Sequence, residues 1–213
     1  FVLEMSSYQL DLCPTFAPDI GVLLNVTPDH IDHHGSMENY TAAKKKIFKN
    51  AGDAIVAIDS KLMRTVSEEL QNAAVRRICA VSTRAVLNDG VYVEGHVLHD
   101  RIDRKSILYR VAAALPLLPR DEAQEKSFDL SAAPSLPGQH NRQNIAAAWA
   151  AARLLGCNPE AIYKAVNSYP GLPHRQQFVR EISSVRWIND SKSTNADAAG
   201  KAMFEHVMDS KAR

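Results

Sequence analysis

Ile20-Gly21-Val22-Leu23-Leu24-Asn25-Val26-Thr27-Pro28-Asp29-His30-Ile31-Asp32-His33-His34 is the stretch whose reading decides the fold. Its first part, Ile20 to Asn25, is short and apolar on both faces, the pattern of a strand in a parallel sheet. The apolar run feeds a knot of carboxylates and imidazoles, and a helix follows. Gly35-Ser36 offers its start, with Ser36 as N-cap, and the helix is expected from Met37 to about Lys49. At about 100° per residue, Met37, Tyr40, Ala43, Ile47 and Phe48 fall on one side, with Lys44 near the centre of that stripe. Lys45 and Lys46 point elsewhere and read as solvated charge.

Lys44 has two readings. It can snorkel past the apolar face to water. Alternatively, burial lowers its pKa, and the neutral amine attacks electrophiles, carbon dioxide included. A carbamate on Lys44 would turn a buried cation into an anion. Together with Glu4 and His30, it would offer oxygen and nitrogen ligands to a hard cation such as magnesium.

Working outward, Phe1 to Leu3 reads as a strand end, with Glu4 to Gln9 at its exit. Ala54–Ile58 and Arg77–Val81 are further strands, with a helix over Lys61–Asn72 between them. Strands alternating with helices argue for an α/β fold with a mostly parallel sheet. Val91–Val93 and Val97–Leu98, set between Asn88-Asp89-Gly90 and Glu94-Gly95-His96, predict a small antiparallel meander. Residues 101–136 are poorly patterned and predict loop plus a brief strand. Asn141–Leu155 is an alanine-rich helix stopped by Gly156. Asn158-Pro159-Glu160 starts another that runs to about Asn167. Tyr169 to Pro173 reads as a hinge. Gln177–Ile182 and Val185–Ile188 form a hairpin opening a second, Rossmann-like domain, and Ala202 to Arg213 reads as helix. The boundary is placed between 171 and 172.

The 213 residues, 46% of them hydrophobic, permit a sizeable core. A net charge of +1 gives no argument for nucleic acid or an anionic membrane. No apolar run is long enough to span a bilayer, and no signal peptide is visible. Cys13, Cys79 and Cys157 are odd in number and far apart, which suits a reducing compartment. The expected location is the cytoplasm.

Five clusters carry chemistry. Glu4-Met5-Ser6-Ser7-Tyr8-Gln9 and the Asp29/His30 knot both follow strands, where open α/β sheets bind ligands. His140 to Asn144 opens the alanine helix, either as caps or as amides for a base or sugar. Arg175 follows the hinge, placed for a phosphate or an interdomain ion pair. Trp187 to Asn195 is a polar loop too dense in donors and acceptors for mere solvation.

These clusters together resemble the Mur ligase superfamily, over nearly the whole chain. The carrying motifs are E-M-S-S-Y-Q-L (4–10), N-V-T-P-D-H-I-D-H-H-G-S-M-E-N-Y-x-x-A-K (25–44), G-Q-H-N-x-x-N (138–144), G-L-P-H-R (171–175) and N-D-S-K-S-T-N (189–195). The last favours the branch that adds D-glutamate. The resemblance implies that Glu4, His30 and a carbamylated Lys44 hold Mg2+. Asn144 would contact ATP, Arg175 its terminal phosphate, and Asp190 the nucleotide side of the cleft. Lys192 and Thr194 would bind D-glutamate, and Ser7 would contact substrate. It also implies ATP-dependent amide formation on UDP-N-acetylmuramoyl-L-alanine through an acyl phosphate, for peptidoglycan synthesis, by an enzyme that is monomeric when full length.

One departure is large. No G-x-x-x-x-G-K-[ST] run occurs among the nine glycines. In the family it precedes the Glu4 strand, after a uridine-nucleotide-binding domain. The chain therefore reads as an excerpt of a longer protein, the central domain (1–171) plus the start of a C-terminal one (172–213). By itself it is expected neither to bind ATP well nor to catalyse ligation. Two rival readings remain: a zinc metallo-hydrolase using Asp29-His30-Ile31-Asp32-His33, and a non-catalytic fragment that keeps only a binding surface.

Overall fold

A computed structural model describes residues 1–71, 77–102, 125–133, 135–136, 138–193, 200 and 203. A mixed sheet of six strands runs in sequence order: β1 (Ile20–Leu23), β2 (Asp53–Ala57), β3 (Arg77–Ser82), β4 (Val91–Glu94), β5 (Val97–Asp100) and β6 (Lys126–Asp129). The first four are parallel, and β4, β5 and β6 are antiparallel. The expected meander is thus not separate. It continues the parallel sheet through the Val81–Val91 and Ser82–Tyr92 pairs. Gly90 makes that junction possible: at φ 122°, a Cβ there would lie 2.2 Å from the Ala80 carbonyl oxygen.

Helices cover both faces. Along β2, Ala54 and Val56 pack with Leu23, Phe48 and the Met63, Val66 and Leu70 stripe of α4 (Lys61–Gln71). Ile55 and Ala57 point the other way. They meet Ile145, Ala146 and Trp149 of α5 (Gln139–Leu154) and Ile162 of α6 (Pro159–Ser168). All five β2 residues are buried, as a central parallel strand requires.

Within the core lies one charged network. Asp100 and Arg153, 5% and 8% exposed, are joined Oδ2 to Nε at 2.6 Å. The Trp149 indole donates to the same oxygen at 3.0 Å, and the Ile102 amide to Oδ1 at 3.1 Å. Burial also pushes the Cys79 thiol up to about 12, so it is an inert core group.

The N-terminal elements are short and capped. α1 (Ser7–Leu12) starts with a capping box: the Gln9 amide donates to Ser6 Oγ, and the Ser6 amide donates to Gln9 Oε1. α2 (Ile31–His34) follows His30, whose backbone is left-handed at φ 53°. α3 (Met37–Lys45) is capped by Ser36 as expected, but ends early and tightens into a 3-10 turn over Lys46–Phe48.

Two expectations are corrected. Phe1 to Leu3 form no strand and are exposed, since among the described residues β1 pairs with β2 alone and a strand exists only through its ladder. β1 is an edge strand, so Val22 is 38% exposed instead of covered on both faces. After α6, β7 (Gln177–Ile182) and β8 (Val185–Asn189) form an isolated antiparallel hairpin. It shows no Rossmann-like layering among the described residues. The expected helix over 202–213 lies, Met203 apart, outside them.

Candidate functional site

The carboxyl edge of the parallel strands carries the polar groups, as the strand order predicts. Past β2, Asp59 receives hydrogen bonds from Ser82 Oγ (2.6 Å), the Thr83 amide (3.0 Å), Thr83 Oγ1 (2.9 Å) and Gln143 Nε2 (2.7 Å). Partial burial opposes its charge, but these donors together outweigh that and hold its carboxyl below the usual range. Gln139 donates to Thr83 Oγ1 at 3.2 Å. The amides of α5 therefore divide. Gln139 and Gln143 bolt the helix to the strand ends, while His140, Asn141 and Asn144 face a cavity. The helix N-cap is Gly138, with no side-chain cap.

That cavity holds about 820 Å³. One wall is the α5 stripe Asn141, Asn144, Ala148 and Ala152, polar near the helix start and then small, which leaves space beside Trp149. Ile162 and Val166 of α6 face it, and Thr27 comes from the loop after β1. The remaining side is built by two loops around the hairpin, which supply Arg175, Gln176, Asp190, Lys192 and Ser193. These loops are laced together. The Gln176 amide donates to Asp190 Oδ1 at 3.1 Å, the Lys192 amide donates to the His174 carbonyl at 3.1 Å, and Asn189 and His174 meet at 3.0 Å. Left-handed backbone at His174 (φ 64°) and Gln176 (φ 46°) shapes the first of them. Among the described residues, Gln176 Oε1 and Ser193 Oγ are buried without a hydrogen-bond partner.

Asn144, Arg175, Asp190 and Lys192, dispersed in sequence, thus share one cavity. Thr194 lies outside the described residues. Gln176 went unread in the sequence, and Thr27 and Ser193 were read only as members of their motifs. The continuation of Asn144 into Ala148 and Ala152 at helical spacing was the available signal for the wall.

Of the other predicted residues, His30 belongs to a ring cluster around α1, α2 and α3, Lys44 and Ser7 touch that cluster, and among the described residues no contact places Glu4 in it. Tyr8 lies 5.3 Å from His30, 4.4 Å from His33 and 5.6 Å from His34, and Tyr40 lies 6.1 Å from His30, centroid to centroid. Lys44 is half-buried, with Nζ 5.4 Å from the Tyr40 ring centre. Among the described residues no carboxylate pairs with it. Its neighbours are not simply solvated: Lys45 pairs with Glu69, and Lys46 with Asp11 at 2.8 Å. Glu4 is exposed on the segment before α1. Ser7, expected to touch substrate, is 1% exposed, and its hydroxyl is engaged by His34 Nε2 at 3.0 Å. The zinc ligand set expected from Asp29, His30, Asp32 and His33 is not assembled, since of these only His33 belongs to a described group able to share an ion. That loop folds into α2, and among the described residues the group of His, Cys, Asp and Glu able to share an ion is Asp11, His33 and His34.

The Mur ligase middle domain family matches residues 1–152. This chain belongs to that family. The Mur ligase chain is 45% identical over 207 residues to the UDP-N-acetylmuramoylalanine–D-glutamate ligase of Rhodospirillum rubrum, covering 95% of this chain and 39% of the relative. It is 42% identical over 209 residues to the enzyme of the same name from Caulobacter vibrioides, covering 97% and 41%. The chain therefore spans about two fifths of the length of the curated relatives it matches. In fold it resembles the MurF ligase of Thermotoga maritima, in complex with ADP, at TM-score 0.61 and 18% identity, covering 94% of this chain and 42% of that one. A MurF structure from Acinetobacter baumannii gives TM-score 0.61 and 19% identity, covering 93% and 39%. No described helix is long and apolar enough to cross a membrane.

Proposed function

We propose that the chain is the central part, residues 1–171, and the start of the C-terminal domain, residues 172–213, of a cytoplasmic, monomeric ligase. It would join D-glutamate to UDP-N-acetylmuramoyl-L-alanine at the expense of ATP, in peptidoglycan synthesis. The observation that carries this reading is the cavity shared by Asn144, Arg175, Asp190 and Lys192.

In this reading the muramoyl-alanine carboxylate takes the γ-phosphoryl group and ADP departs. The D-glutamate amine then attacks the acyl carbon, phosphate leaves with the bonding electrons, and the amine gives up a proton. Asn144 holds the base or sugar through its amide. Arg175 sets its fork on phosphate oxygens and offsets the charge spread over them in the transition state. Asp190, held by the Gln176 amide, orients the nucleotide side. Lys192 and Thr194 receive the carboxylates of D-glutamate.

Mg2+ would be held by Glu4, His30 and Lys44, and when bound would neutralise charge on the transferring group. The donor chemistry suits a hard ion only if Lys44 offers oxygen, that is, as a carbamate. Its partial burial and lack of a carboxylate partner among the described residues favour that modification.

The test is a titration of the isotopically labelled chain with a non-hydrolysable ATP analogue that keeps the γ-phosphate, followed by amide and side-chain NMR. Weak binding is expected, since no glycine-rich phosphate loop occurs in the 213 residues. Shifts should concentrate on Asn144, Arg175, Asp190 and Lys192. Arg175→Ala should weaken binding by about 1.5–3 kcal/mol, as loss of a hydrogen bond to a charged group does. Shifts confined to other surfaces, or affinity untouched by that substitution, would sink the reading.

A further inference from the structure

We propose that Asp11, His33 and His34 form a second metal site, for a borderline divalent transition ion of the zinc class. It shares no residue with the magnesium ligands proposed above. Each of the three offers a ligand atom, and all lie within 4.8 Å of one another. Tetrahedral bonds of about 2.0–2.1 Å put ligand atoms roughly 3.4 Å apart. Small rotations of partly exposed side chains close that difference.

The fold brings the set together in an unusual way. Adjacent residues on a helix normally diverge by about 100°. Here α2 is a single turn entered through the left-handed His30, and the His33 and His34 rings stand 4.7 Å apart at 89°. Both lean on Tyr8, one turn before Asp11 on α1. The ion would bridge α1 to α2.

The chemistry selects the ion. Two imidazoles and one carboxylate leave an open position for water, a set that suits zinc and its neighbours and is poor for magnesium. Ser7 Oγ, 3.0 Å from His34 Nε2, is placed as the outer partner that fixes the ring. With that nitrogen carrying the proton, Nδ1 is left to ligate. Lys46 competes for Asp11 at 2.8 Å, but its side chain is 48% exposed, and such surface pairs are weak enough to be displaced.

The experiment uses the tag-free full chain, stripped with chelator and titrated with Zn2+ against a competing dye, and with Co2+ for its visible d–d absorption. One equivalent should bind, give an intense low-symmetry cobalt spectrum, raise the thermal midpoint and resist excess Mg2+. Asp11→Asn and His33→Gln, both at exposed positions, should each weaken binding by at least the 10- to 100-fold that loss of an outer partner alone typically costs (an order-of-magnitude figure). They should also abolish the thermal shift. The absence of saturable Zn2+ binding overturns the proposal. So does binding unchanged by either substitution, and so does displacement by Mg2+.

Discussion

β2 and β7 both carry residues that favour strands, Ile55 and Val56 in one and Phe178, Val179 and Ile182 in the other, yet they live in different physical conditions. Ala54, Ile55, Val56 and Ala57 of β2 are all at 0% exposure between two helical layers. Every residue of β7 is exposed, with Phe178, Val179 and Ile182 at 53%, 51% and 49%. β8 adds Trp187 at 56%. The six-stranded sheet is held by burial of apolar surface. The hairpin is held at its base by hydrogen bonds around His174, Gln176 and Asp190, and an isolated two-stranded hairpin is marginal in water. The cavity takes residues from both regions. Its floor is therefore rigid, and its Arg175–Lys192 side belongs to the weakly held end of the stability range, where ligand-binding segments commonly lie.

Four measurements break or sharpen that contrast. Asp100→Ala leaves Arg153 buried without its partner and should cost about 3–5 kcal/mol. Urea unfolding followed by tryptophan fluorescence reads it, and a loss under about 1 kcal/mol would mean that the network is not part of the rigid region. Native-state hydrogen exchange should separate the sheets next. Amides of β2 and β3 should exchange about 10³-fold more slowly than those of β7 and β8, a gap of about 4 kcal/mol. Equal protection would erase the distinction.

Asp59 gives a smaller, pH-dependent effect. Its folded pKa lies below its unfolded one, so its contribution is present above the unfolded value and disappears as pH falls through the folded one. Asp59→Asn should lower stability at pH 7 by about 1.5–3 kcal/mol, the worth of hydrogen bonds to a charged group. It should also flatten the acid limb of a plot of stability against pH. Denaturation midpoints at neutral and acidic pH test this, and an unchanged acid limb would remove Asp59 from the clamp. Trp187→Ala should be smallest, within about 0.5 kcal/mol, because an exposed side chain leaves no cavity. A loss comparable to that of a core tryptophan would show the hairpin to be packed after all.

Legibility in the sequence followed the range of the interactions. Ser36, and Asn158 with Pro159, act over a few residues, and the helices expected there start there, whereas the Ser6–Gln9 capping box of α1 went unread. The α3 stripe was readable for Tyr40, Ala43 and Phe48, but Thr41 is buried too, which no hydropathy pattern signals. Strand pairing was not readable. Nothing in Phe1 to Leu3 says that it lacks a ladder, and nothing in Val91 to Leu98 says that it joins the parallel sheet. The cavity was half legible. Its charged and amide residues stood out by type, whereas the alanines that make room for a ligand looked like ordinary helix filler.

By itself the sequence determined the α/β class, the starts of α3 and α6 and the inventory of chemically capable residues, because periodicity, capping and side-chain type are local properties, and its motifs carried the resemblance to the Mur ligase family. Only the tertiary structure decided which of those residues share a space. It set Asn144 beside Arg175, Asp190 and Lys192, and turned Ser7 inward onto His34. It also set His33 and His34 against Asp11. Such meetings depend on strand order, on the left-handed turn at His30 and on the packing of α1 against α3, all of them contacts between segments far apart in the chain.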